Sequence, residues 1–573
     1  MADLSETAAF PFVCEGGLVL NQSTFIMKPG QALELTNFEP DIEGGYRRIN
    51  GFEPYVGFVV PQTSASTEAV LMTTVFSDYI LAARGTSIHR SASTILTTKI
   101  TSSETMSGSG VIIASSTTSF SASGTLIIGS EQFTYTGIST NTFTGVTRAT
   151  SSTTAAAHNT NVVVSESWTS IDSGRTGAKK YNFEKFNFDG SDKLIVVDQA
   201  NAPTVFNTSL VATDVSTSSV AGAKHVVAFK SHMFYSGMAA TPQEVVFSVP
   251  FDEDNFSSGS GAGSIKVDDT IVGLKVFRDN LFIFCENRIF KLGGSSLSDF
   301  AIVPVTRKIG CINGDTIQEF AGDLIFLGPD GLRTIAGTAR IGDVELGTIS
   351  QNVQSVFDLN IADSSQFDSI VIPDKTQYRI FFTKDNVAEN GTVGIICVMK
   401  GQTFEFAKLK GIRPTCTDSF IDSGNVLALH GSSTGYIYRQ EQGSDFDGVA
   451  INGKYRSPDL TMNDPGIRKH MQKVVVNYKP EAAIDADLFI RYDYEASDSS
   501  RPAAYPLDSL DVVAIYGTAA YGVPTYGGPS QPLVRQSVEG SGFAVALRVN
   551  DGGATAPYSI KGFQLEYQLG ARR

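Results

Sequence analysis

Short apolar runs recur along the chain, and each is followed by a tight turn and a second apolar or aromatic run. The first pair is Tyr79–Ala83 and Ile88–Arg90, with Arg84–Ser87 as the turn between them. Apolar runs bounded by turn residues are typical of buried β-strands, and two such runs joined by a tight turn predict a β-hairpin. The pattern therefore predicts a series of hairpins.

Six further hairpins are predicted in the same way, with their strands at 193–197 and 204–206, 232–237 and 244–248, 280–284 and 288–292, 323–327 and 332–335, 377–382 and 394–398, and 425–431 and 435–439. After the first, they follow one another at about 40 to 60 residues, close to the period of a propeller blade. A lone hairpin cannot bury its faces, so packing around a ring is expected. The pattern predicts a β-propeller in which one of the seven units could be half of a split blade.

A Ser/Thr-rich stretch at 95–167 interrupts this series. Apolar and polar positions alternate around Leu126 and Ile128 and again around Phe133 and Tyr135, which predicts short half-buried strands. Small polar residues between these strands predict turns. The stretch is therefore expected to be a small inserted β-module that decorates the outside of the ring.

From about residue 453 the pattern changes to longer alternating strands. The clearest are Lys473–Tyr478, Asp487–Tyr492 and Phe543–Val549, and together they predict a β-sandwich. Residues 500–530 are rich in Pro, Gly, Ala and Tyr and predict a long loop. The predicted regions are the N-terminal segment with the first propeller strands at 1–94, the inserted β-module at 95–167, the β-propeller at 168–452 and the C-terminal β-sandwich at 453–573.

Two turn signals, Pro29–Gly30 and Gly44–Gly45, divide the N-terminal segment. Between them, Ala32–Leu35 fits either one short helical turn or an edge strand. Arg47 and Arg48 are expected to be solvated or salt-bridged. The segment therefore leaves its own secondary structure open.

The composition agrees with an all-β chain of several folding units. The chain has 573 residues, of which 42% are apolar and 18% charged, and it contains 54 glycines. This length exceeds what one hydrophobic core supports, and the many glycines and Ser/Thr-rich stretches suit numerous turns. We therefore expect three or more folding units.

The charge balance argues against nucleic-acid binding as the main activity. There are 59 acidic and 44 basic residues, which gives a net charge of −15. Proteins that hold nucleic acid carry a basic excess, because their cations replace the counterions of the phosphates. The balance is compatible with a passage through which DNA slides, since an acidic wall would not retain the strand.

Five cysteines lie far apart and include no C-x-x-C pair. Cys285 and Cys397 lie within apolar runs and are predicted to be small buried side chains. The odd total gives no disulfide framework, which fits assembly in a reducing cytoplasm. Met1–Glu6 is acidic and unlike a signal peptide, and no apolar stretch approaches the ~20 residues of a membrane span, so a soluble protein without a membrane span is expected.

The C-terminal region resembles the C-terminal β-domain of the tail nozzle proteins (tail tubular protein B-like) of short-tailed bacteriophages. The resemblance rests on Tyr455–Leu460 (YRSPDL), Gly466–Val476 (GIRKHMQKVVV), Pro557–Tyr567 (PYSIKGFQLEY) and the terminal Gly570–Arg573. These motifs extend over the last 120 or so residues.

Two further patches resemble the same family. The N-terminal patch reads GGLVL at 16–20, KPGQALELTNFEP at 28–40 and GGYRRINGFE at 44–53. The middle patch comprises Ile271–Phe284, Thr306–Cys311 and Phe326–Arg333 and is similar to the propeller core. Each patch is moderately specific, and their order strengthens the resemblance. The module at 124–158 resembles a β-module inserted in many phage tail proteins, whereas the 500–530 loop cannot be aligned.

The resemblance implies a structural virion protein: one subunit of a homohexameric tail nozzle, placed below the portal and the tail adaptor ring. Its ring would enclose the channel for genome retention and ejection and touch the double-stranded DNA transiently and without sequence preference. Tail fibres and needle or hub proteins are further implied partners. The protein would act in the virion tail after assembly in the host cytoplasm. The 500–530 loop and the Gly/Ser block Ser257–Ser264, predicted to be flexible, are candidate gate or interface elements.

Candidate chemistry is sparse, so we predict no enzyme, no cofactor and no catalytic, cofactor-binding or metal-binding residues. The carboxylate groups are Asp252–Asp254, Asp268–Asp269 and the pair Asp485 and Asp487, and each is expected to be a solvated turn acid. Asp252–Asn255 lacks the spacing of a calcium loop. The six histidines show no metal-binding spacing, although His225 and His232 lie seven positions apart. No phosphate-binding loop or nucleophile elbow occurs.

Two other function classes remain open. A receptor-binding or fibre-anchoring tail protein could use the same propeller to hold carbohydrate, with sugars stacked on Tyr505, Tyr516, Tyr521 and Tyr526. Such proteins are usually trimers, so symmetry separates this alternative from a nozzle. A propeller hydrolase would need two carboxylates facing one cleft and would turn over bacterial polysaccharide.

Overall fold

The computed structural model describes residues 7–55, 58–62, 68–92, 97–99, 110–118, 120, 122–128, 131–150, 153–158, 163–177, 179–336, 348–384, 393–422, 424–480, 484–495, 502–507, 533–553 and 555–572. The fold is all-β, and it comprises a β-propeller with an inserted β-module and a C-terminal β-sandwich. Antiparallel pairing dominates the sheets, as the turn-rich sequence predicts.

The strands of the first 200 or so residues are β1 (Thr7–Val13), β2 (Glu34–Thr36), β3 (Phe38–Pro40), β4 (Tyr46–Arg48), β5 (Phe52–Pro54), β6 (Val70–Phe76), β7 (Tyr79–Arg84), β8 (Ser87–Ala92), β9 (Thr97–Lys99), β10 (Gly110–Ile113), β11 (Gly124–Ile128), β12 (Glu131–Tyr135), β13 (Gly137–Ser139), β14 (Thr142–Val146), β15 (Val163–Glu166), β16 (Thr169–Ser173), β17 (Asn182–Phe186) and β18 (Lys193–Val197).

The middle of the chain forms β19 (Thr204–Phe206), β20 (Ala212–Asp214), β21 (His225–Phe229), β22 (His232–Ser236), β23 (Glu244–Phe247), β24 (Gly263–Lys266), β25 (Ile271–Phe277), β26 (Asn280–Cys285), β27 (Ile289–Gly293), β28 (Ala301–Thr306), β29 (Gln318–Phe320), β30 (Asp323–Gly328), β31 (Gly331–Thr334), β32 (Gln366–Ile372), β33 (Gln377–Thr383), β34 (Val393–Lys400) and β35 (Thr403–Lys410). Among the described residues, the α-helix α1 spans Gln354–Ile361, and short 3-10 turns lie at Ser258–Ser260, Gly314–Thr316, Gln351–Val353 and Pro373–Lys375.

The remaining strands are β36 (Cys416–Asp422), β37 (Asn425–Gly431), β38 (Ile437–Gln440), β39 (Asp445–Phe446), β40 (Val449–Ala450), β41 (Gly453–Arg456), β42 (Ile467–Pro480), β43 (Ala486–Tyr492), β44 (Tyr505–Pro506), β45 (Leu533–Ser537), β46 (Ser541–Gly542), β47 (Val545–Asp551) and β48 (Tyr558–Arg572).

The chain divides into two compact units that alternate along the sequence. Unit 1 comprises 1–53, 315–413 and 440–573, and unit 2 comprises 54–314 and 414–439. The four domain boundaries predicted from the sequence remain predictions.

Unit 2 is built from five blade-like sheets. Blade A has the strand order β16-β8-β7-β6, and blades B, C and D are the consecutive meanders β17–β20, β21–β24 and β25–β28. Blade E contains β36, β37 and β38. Up-and-down sheets of this kind, repeated along a chain, are the elements of a β-propeller.

Apolar side chains join these blades face to face in the order E, A, B, C, D. Blades E and A share a core around Leu429 and Trp168, and blades A and B share one around Leu81 and Leu194. The B–C and C–D interfaces are filled in the same way, for example by Tyr235 in the first and by residues of β22 and β26 in the second. The blades are therefore stabilised chiefly by burial between sheets, at about 25 cal/mol per Å² of apolar surface.

Unit 1 contains two more meanders of the same kind, β29-β30-β31 and β32-β33-β34-β35. The seven hairpins predicted from the sequence are thereby all confirmed: β7–β8, β18–β19, β22–β23, β26–β27, β30–β31, β33–β34 and β37–β38 are antiparallel pairs.

The C-terminal sandwich of unit 1 has two sheets. One has the order β3-β4-β48-β42-β45, with β1 paired to β48 and β46 to β42. The other continues from β35 through β2, β41, β47 and β43 to β44. Aromatic side chains fill the space between the sheets: the Tyr455 ring lies 5.8 Å from the Phe563 ring, and Phe38 lies 5.9 Å from Tyr558. The predicted strands at 473–478, 487–492 and 543–549 lie in β42, β43 and β47, respectively. Strand β47 begins at Val545, two residues after the predicted start.

Two local predictions need correction. Within Ala32–Leu35 the strand β2 begins at Glu34, and it lies between β35 and β41 rather than at an edge. The block Ser257–Ser264 is not a uniform flexible loop, because it forms a 3-10 turn and then enters β24, which pairs with β23. Backbone pairing needs no side chain, so small residues at a sheet edge form a strand despite their composition.

Strands β9 to β15 form two small sheets, β10-β14-β13 and β12-β11-β15-β9. A separate core that includes Leu126, Phe133 and Phe143 lies between them. The Glu131 carboxylate is buried and accepts from Arg148, from the Ala156 backbone N–H at 2.8 Å and from the His158 ring at 2.9 Å. These contacts attach the Ala-rich segment 153–158 to β12.

Candidate functional site

The N-terminal and C-terminal motifs that carry the phage resemblance meet in unit 1, and we call this region the terminal joint (β2, β3, β4, β41 and β48). In β4, Tyr46 and Arg47 pair with Ile560 and Ser559 of β48. In β2, Leu35 lies opposite Tyr455 of the YRSPDL motif. The first and last motifs of the chain therefore form one structure.

A polar network extends across the joint between groups 517 to 520 positions apart. Lys561 Nζ donates to Asp41 Oδ2 at 2.9 Å and to the Gly44 carbonyl oxygen at 2.6 Å, and Ser559 Oγ donates to Asp41 Oδ2 at 2.9 Å. Although burial works in the opposite direction, these donors keep the pKa of Asp41 below its usual value. Asp41 is therefore held ionised as the centre of the network.

The glycines at the turns of the N-terminal motifs lie where the backbone approaches β48 and the Tyr46 side chain closely. Its hydroxyl accepts from the Gly17 backbone N–H at 3.0 Å and donates to the Gly30 carbonyl oxygen at 2.7 Å. A Cβ at Gly45 would lie 2.4 Å from the Ile560 carbonyl oxygen, and its φ of +92° disfavours other residues. The GG and PG turns thus let the chain approach β48 and the Tyr46 phenol closely.

Arg48 lies at the base of the joint and is salt-bridged, which is one of the two expected states, with its side chain fully buried. Its guanidinium contacts Asp551 Oδ1 at 3.4 Å and donates to the Gly553 carbonyl oxygen at 2.7 Å. Burial raises the pKa of Asp551, and the Arg48 charge opposes that shift. Arg47 is salt-bridged as predicted, to Glu39 at 3.3 Å.

A second buried network of unit 1 surrounds Glu39 of the NFEP motif. Lys375 Nζ lies 2.6 Å from Glu39 Oε1, and Arg379 Nη2 lies 3.2 Å from Glu39 Oε2. Both cations also pair with Glu441, and burial opposes but does not prevent a lowered pKa of that carboxyl. Because every charge has a partner, we assign this network to bracing β3 and β33, not to catalysis.

Unit 2 contains a different arrangement, in which charged side chains of several blades converge. The first strands of the blades are β6, β17, β21, β25 and β36, and β36 contacts β6, β17 contacts β21, and β21 contacts β25. From these strands come Glu184, Lys185, Lys275 and Asp418, which we call the inner-strand cluster. Side chains of blades that are not neighbours can meet where first strands converge.

Contacts within the cluster connect blades B, E, A and C. Lys185 Nζ lies 4.9 Å from the centre of the Phe420 ring, and Thr74 Oγ1 donates to Asp418 Oδ2 at 2.8 Å. The Ala228 backbone N–H donates to Glu184 Oε1 at 3.4 Å. Lys185 therefore crosses from blade B to blade E, past the first strand of blade A.

Burial dominates the protonation of both carboxyl groups in this cluster. It raises the pKa of Glu184 to about 7, and the Lys275 charge and the Ala228 N–H only partly oppose the shift. Burial also raises the pKa of Asp418 against the Lys185 charge and the Thr74 hydrogen bond. Perturbed carboxyl groups of this kind are found at functional sites more often than elsewhere.

The carboxylates singled out from the sequence are not part of this cluster. Asp252 and Asp254 cap turns by accepting backbone N–H groups, and Glu253 accepts from Lys193 at 2.8 Å. Asp268 pairs with Arg288, and Asp269 accepts the Asn287 N–H at 2.7 Å. Asp487 is exposed on β43. The structure brings none of the three groups together as a paired active site within the described residues.

The cysteine and histidine predictions can be compared directly. Cys285 and Cys397 are buried as predicted, and all five cysteines are free. His225 and His232 are buried at opposite ends of the β21–β22 hairpin, and His232 Nδ1 lies 2.6 Å from the Ser248 carbonyl oxygen. Across the described part of the chain, no group of three His, Cys, Asp or Glu side chains is arranged to hold a metal.

The aromatic residues of the receptor-binding alternative fall largely outside the described residues, as do Met1–Glu6 and the terminal Arg573. Of the four tyrosines, Tyr516, Tyr521 and Tyr526 lie there, together with all of 508–532. Tyr505 is described: its hydroxyl accepts the Glu539 N–H at 3.0 Å, so it is already engaged. None of the helices that the structure describes is long and apolar enough to cross a membrane.

Sequence reasoning missed Glu184 and Asp418. For Glu184 the signal was present in Asn182–Phe186, where two adjacent charged residues lie between Phe183 and Phe186, just before the predicted strand at 193–197. A charged side chain is costly to bury in an apolar core. A charged residue in the strand before a predicted hairpin therefore indicates that this first strand of a blade lines a polar region.

No family model and no curated protein matches the chain. Among solved structures it is similar to the extracellular domain of the hybrid two-component system BT4673 of Bacteroides thetaiotaomicron, with 9% identity over 78% of this chain and 44% of that one and a TM-score of 0.33. It is also similar to Chaetomium thermophilum Raptor, with 7% identity over 69% of this chain and 29% of that one and a TM-score of 0.33. A third similar structure is Kluyveromyces lactis Hsv2, with 8% identity over 60% of this chain and 98% of that one and a TM-score of 0.27. The chain spans less than half the length of the first two, and similarity at this level carries no functional argument.

Proposed function

We propose that the chain is a subunit of a phage tail nozzle, a homohexameric ring that forms part of the channel for genome retention and ejection. The ring would attach to the tail adaptor below the portal and carry tail fibres or needle and hub proteins. The protein is proposed to act in the virion tail, without enzymatic activity.

The observation that carries the proposal is the terminal joint. The N-terminal GGYRR and KPGQALELTNFEP motifs and the C-terminal YRSPDL and PYSIKGFQLEY motifs, which resemble the family independently, pair strand to strand. Motifs that resembled a family by chance would have no reason to pair with one another in the two sheets of one sandwich. Their shared structure supports the view that the resemblance describes one folded domain.

The proposed mechanism is passive. The ring holds the end of the DNA before infection, and it lets the DNA pass after a gate opens. The net charge of −15 per chain favours this role, since an acidic wall repels the phosphates that a basic wall would retain. Residues 500–530, most of which lie outside the described residues, and the segment Ser257–Ser264 are the candidate gate or interface elements.

Electron microscopy of the full chain mixed with the adaptor–portal complex of its own phage tests the proposal. The expected result is a six-fold ring at the far end of the adaptor, with an axial channel wide enough for duplex DNA. Grids of the chain alone and of the adaptor–portal complex alone serve as controls.

Two other outcomes would contradict the nozzle. A trimer at the periphery of the tail would favour the receptor-binding or fibre-anchoring alternative. Turnover of bacterial polysaccharide by the purified chain would instead favour a hydrolase.

A further inference from the structure

A cavity of about 550 Å³ opens in unit 2 beside the inner-strand cluster. Its walls come from three blades: the β6–β7 turn of blade A, strand β17 and the following segment of blade B, and Phe420 of blade E. This volume is within the range of roughly 300–1,000 Å³ that small-molecule sites occupy. The cavity is therefore large enough for a ligand the size of a monosaccharide.

The floor and the rim of the cavity differ in chemistry. Phe76 and Phe186 are buried and supply an apolar floor. Asn187 and Thr208 lie at the rim with polar groups, and the Asn187 amide already donates to Asp192 Oδ1 at 2.9 Å. An apolar floor with a few fixed polar groups is the usual composition of a ligand site.

Lys185 is the cation of this cavity that has no close carboxylate. Lys193, the other lysine of the wall, lies 2.8 Å from Glu253 and 3.1 Å from Asp189. Within the described residues, Lys185 forms no salt bridge: its Nζ lies 4.9 Å from the centre of the Phe420 ring, and its charge acts on the Asp418 carboxyl only from beyond salt-bridge distance. Lys185 is exposed in the cavity wall, so its ammonium remains available to an external anion.

The acidic groups around the cavity restrict where an anion can lie. Asp78 and Asp192 belong to the wall, while Glu184 and Asp418 lie in the neighbouring cluster. An anion would avoid the aspartates of the wall and approach the Lys185 end, which leaves its apolar part over Phe76 and Phe186. The charges thus define an orientation.

We propose that this cavity binds a small ligand that carries a carboxylate or phosphate group on a ring or short apolar chain, with Lys185 as the anchor of the anionic group. The ligand's ring packs on the aromatic floor, and its hydroxyl or carbonyl groups reach the polar rim. This proposal does not depend on the nozzle proposal, because it concerns unit 2 of the isolated chain.

Isothermal titration calorimetry of the full chain with two probes, glucuronate and inorganic phosphate, tests the proposal. Saturable binding of either probe is expected. Loss of the ammonium in Lys185→Gln should weaken it about tenfold or more, as for a charge-assisted hydrogen bond. Lys185→Arg keeps the charge and should retain most of the affinity.

Lys179→Gln provides the matched control, since Lys179 is an exposed lysine of the same unit that lies outside the cavity. Its affinity should equal that of the parent, and thermal unfolding should be equal for all variants. Binding of glucuronate alone would assign the carboxylate source, and binding of phosphate alone would assign the phosphate source. No saturable binding, or equal binding by Lys185→Gln and the parent, would overturn the proposal.

Discussion

At the scale of single residues, two carboxyl groups have pKa values shifted in opposite directions. Glu184, on the first strand of blade B, has a pKa raised to about 7 by burial. Glu131, in the inserted module, has a pKa of about 2 because Arg148, the Ala156 N–H and His158 outweigh the effect of burial. The difference comes from direct partners: Glu131 has a guanidinium in contact, whereas Glu184 has only a backbone donor at 3.4 Å.

Glu184→Gln should change how stability depends on pH. In the folded chain Glu184 keeps its proton up to about pH 7, whereas the usual pKa of a glutamate is 4.5. The contribution of protonated Glu184 to the free energy of unfolding is therefore complete below pH 4.5. It is lost as the pH rises towards 7, at about 1.4 kcal/mol per unit. The variant should therefore gain stability relative to the parent at pH 8 and not at pH 4.

Urea unfolding at several pH values, followed by fluorescence, measures this difference. Trp168 is the single tryptophan of the chain and is buried in unit 2, so its emission reports the unit that holds Glu184. The exposed Glu286→Gln in the same unit serves as the control. Parallel pH profiles of Glu184→Gln and the parent would sink the assignment.

Arg48→Met should destabilise unit 1 by about 3–5 kcal/mol, because it leaves Asp551 buried without its partner. The double variant Arg48→Met/Asp551→Leu should recover much of the loss, since no buried charge remains. Hydrogen exchange of peptides from 558–572 measures the effect. Arg47→Met, which removes the partly exposed Arg47–Glu39 salt bridge, should lower the free energy of unfolding by less. An equal loss in the two variants would contradict the role of burial.

At the scale of elements, β48 is the central strand of the sandwich. It pairs with β42 along most of its length, and with β4 and then β1 on its other side. β48 was not among the strands predicted from the sequence, where Pro557–Tyr567 figured only as a resemblance motif, and its two N-terminal partners were not predicted either. Pairing between segments more than 500 positions apart depends on tertiary packing, whereas each predicted hairpin is closed by its own turn.

The same distinction explains the rest of the candidate sites. Hairpins such as β26–β27 were predictable because strand and turn are adjacent in sequence. The inner-strand cluster was not, because Lys185 and Phe420 meet only after blades B and E are placed. Similarly, no local signal in Glu39 indicates its pairing with Arg379.

Phe12→Ala tests the contribution of β1 to the sandwich. Phe12 is buried and its ring lies 5.5 Å from that of Phe563, so truncation should cost about 3 kcal/mol. Val13→Ala removes the neighbouring side chain, which is 60% exposed, and should change stability by less than about 0.5 kcal/mol. Chemical denaturation followed by circular dichroism compares the two; similar costs would show that β1 contributes no packing.

At the scale of the whole molecule, the acidic chain should not retain DNA. With a net charge of −15, the purified protein is expected to give no shift of duplex DNA in gel electrophoresis at about 0.15 M salt, where non-specific binders depend on basic residues. Retention that weakens steeply with added salt would instead indicate a basic binding surface and would argue against a passive channel.

Unit 1 is assembled from the first 53 residues and from residues 315–413 and 440–573, whereas all of unit 2 has been made by residue 439. During synthesis, the sheet that needs β48 therefore cannot close until residues 558–572 emerge. At about 5–20 residues per second, β1 and the β3–β4 hairpin wait for about half a minute or more for β48, which pairs with β1 and β4. Their short length and the charges of Arg47 and Glu39 limit pairing with other nascent chains during this delay. The emergence of β48 is thus the step that completes this sheet of the sandwich.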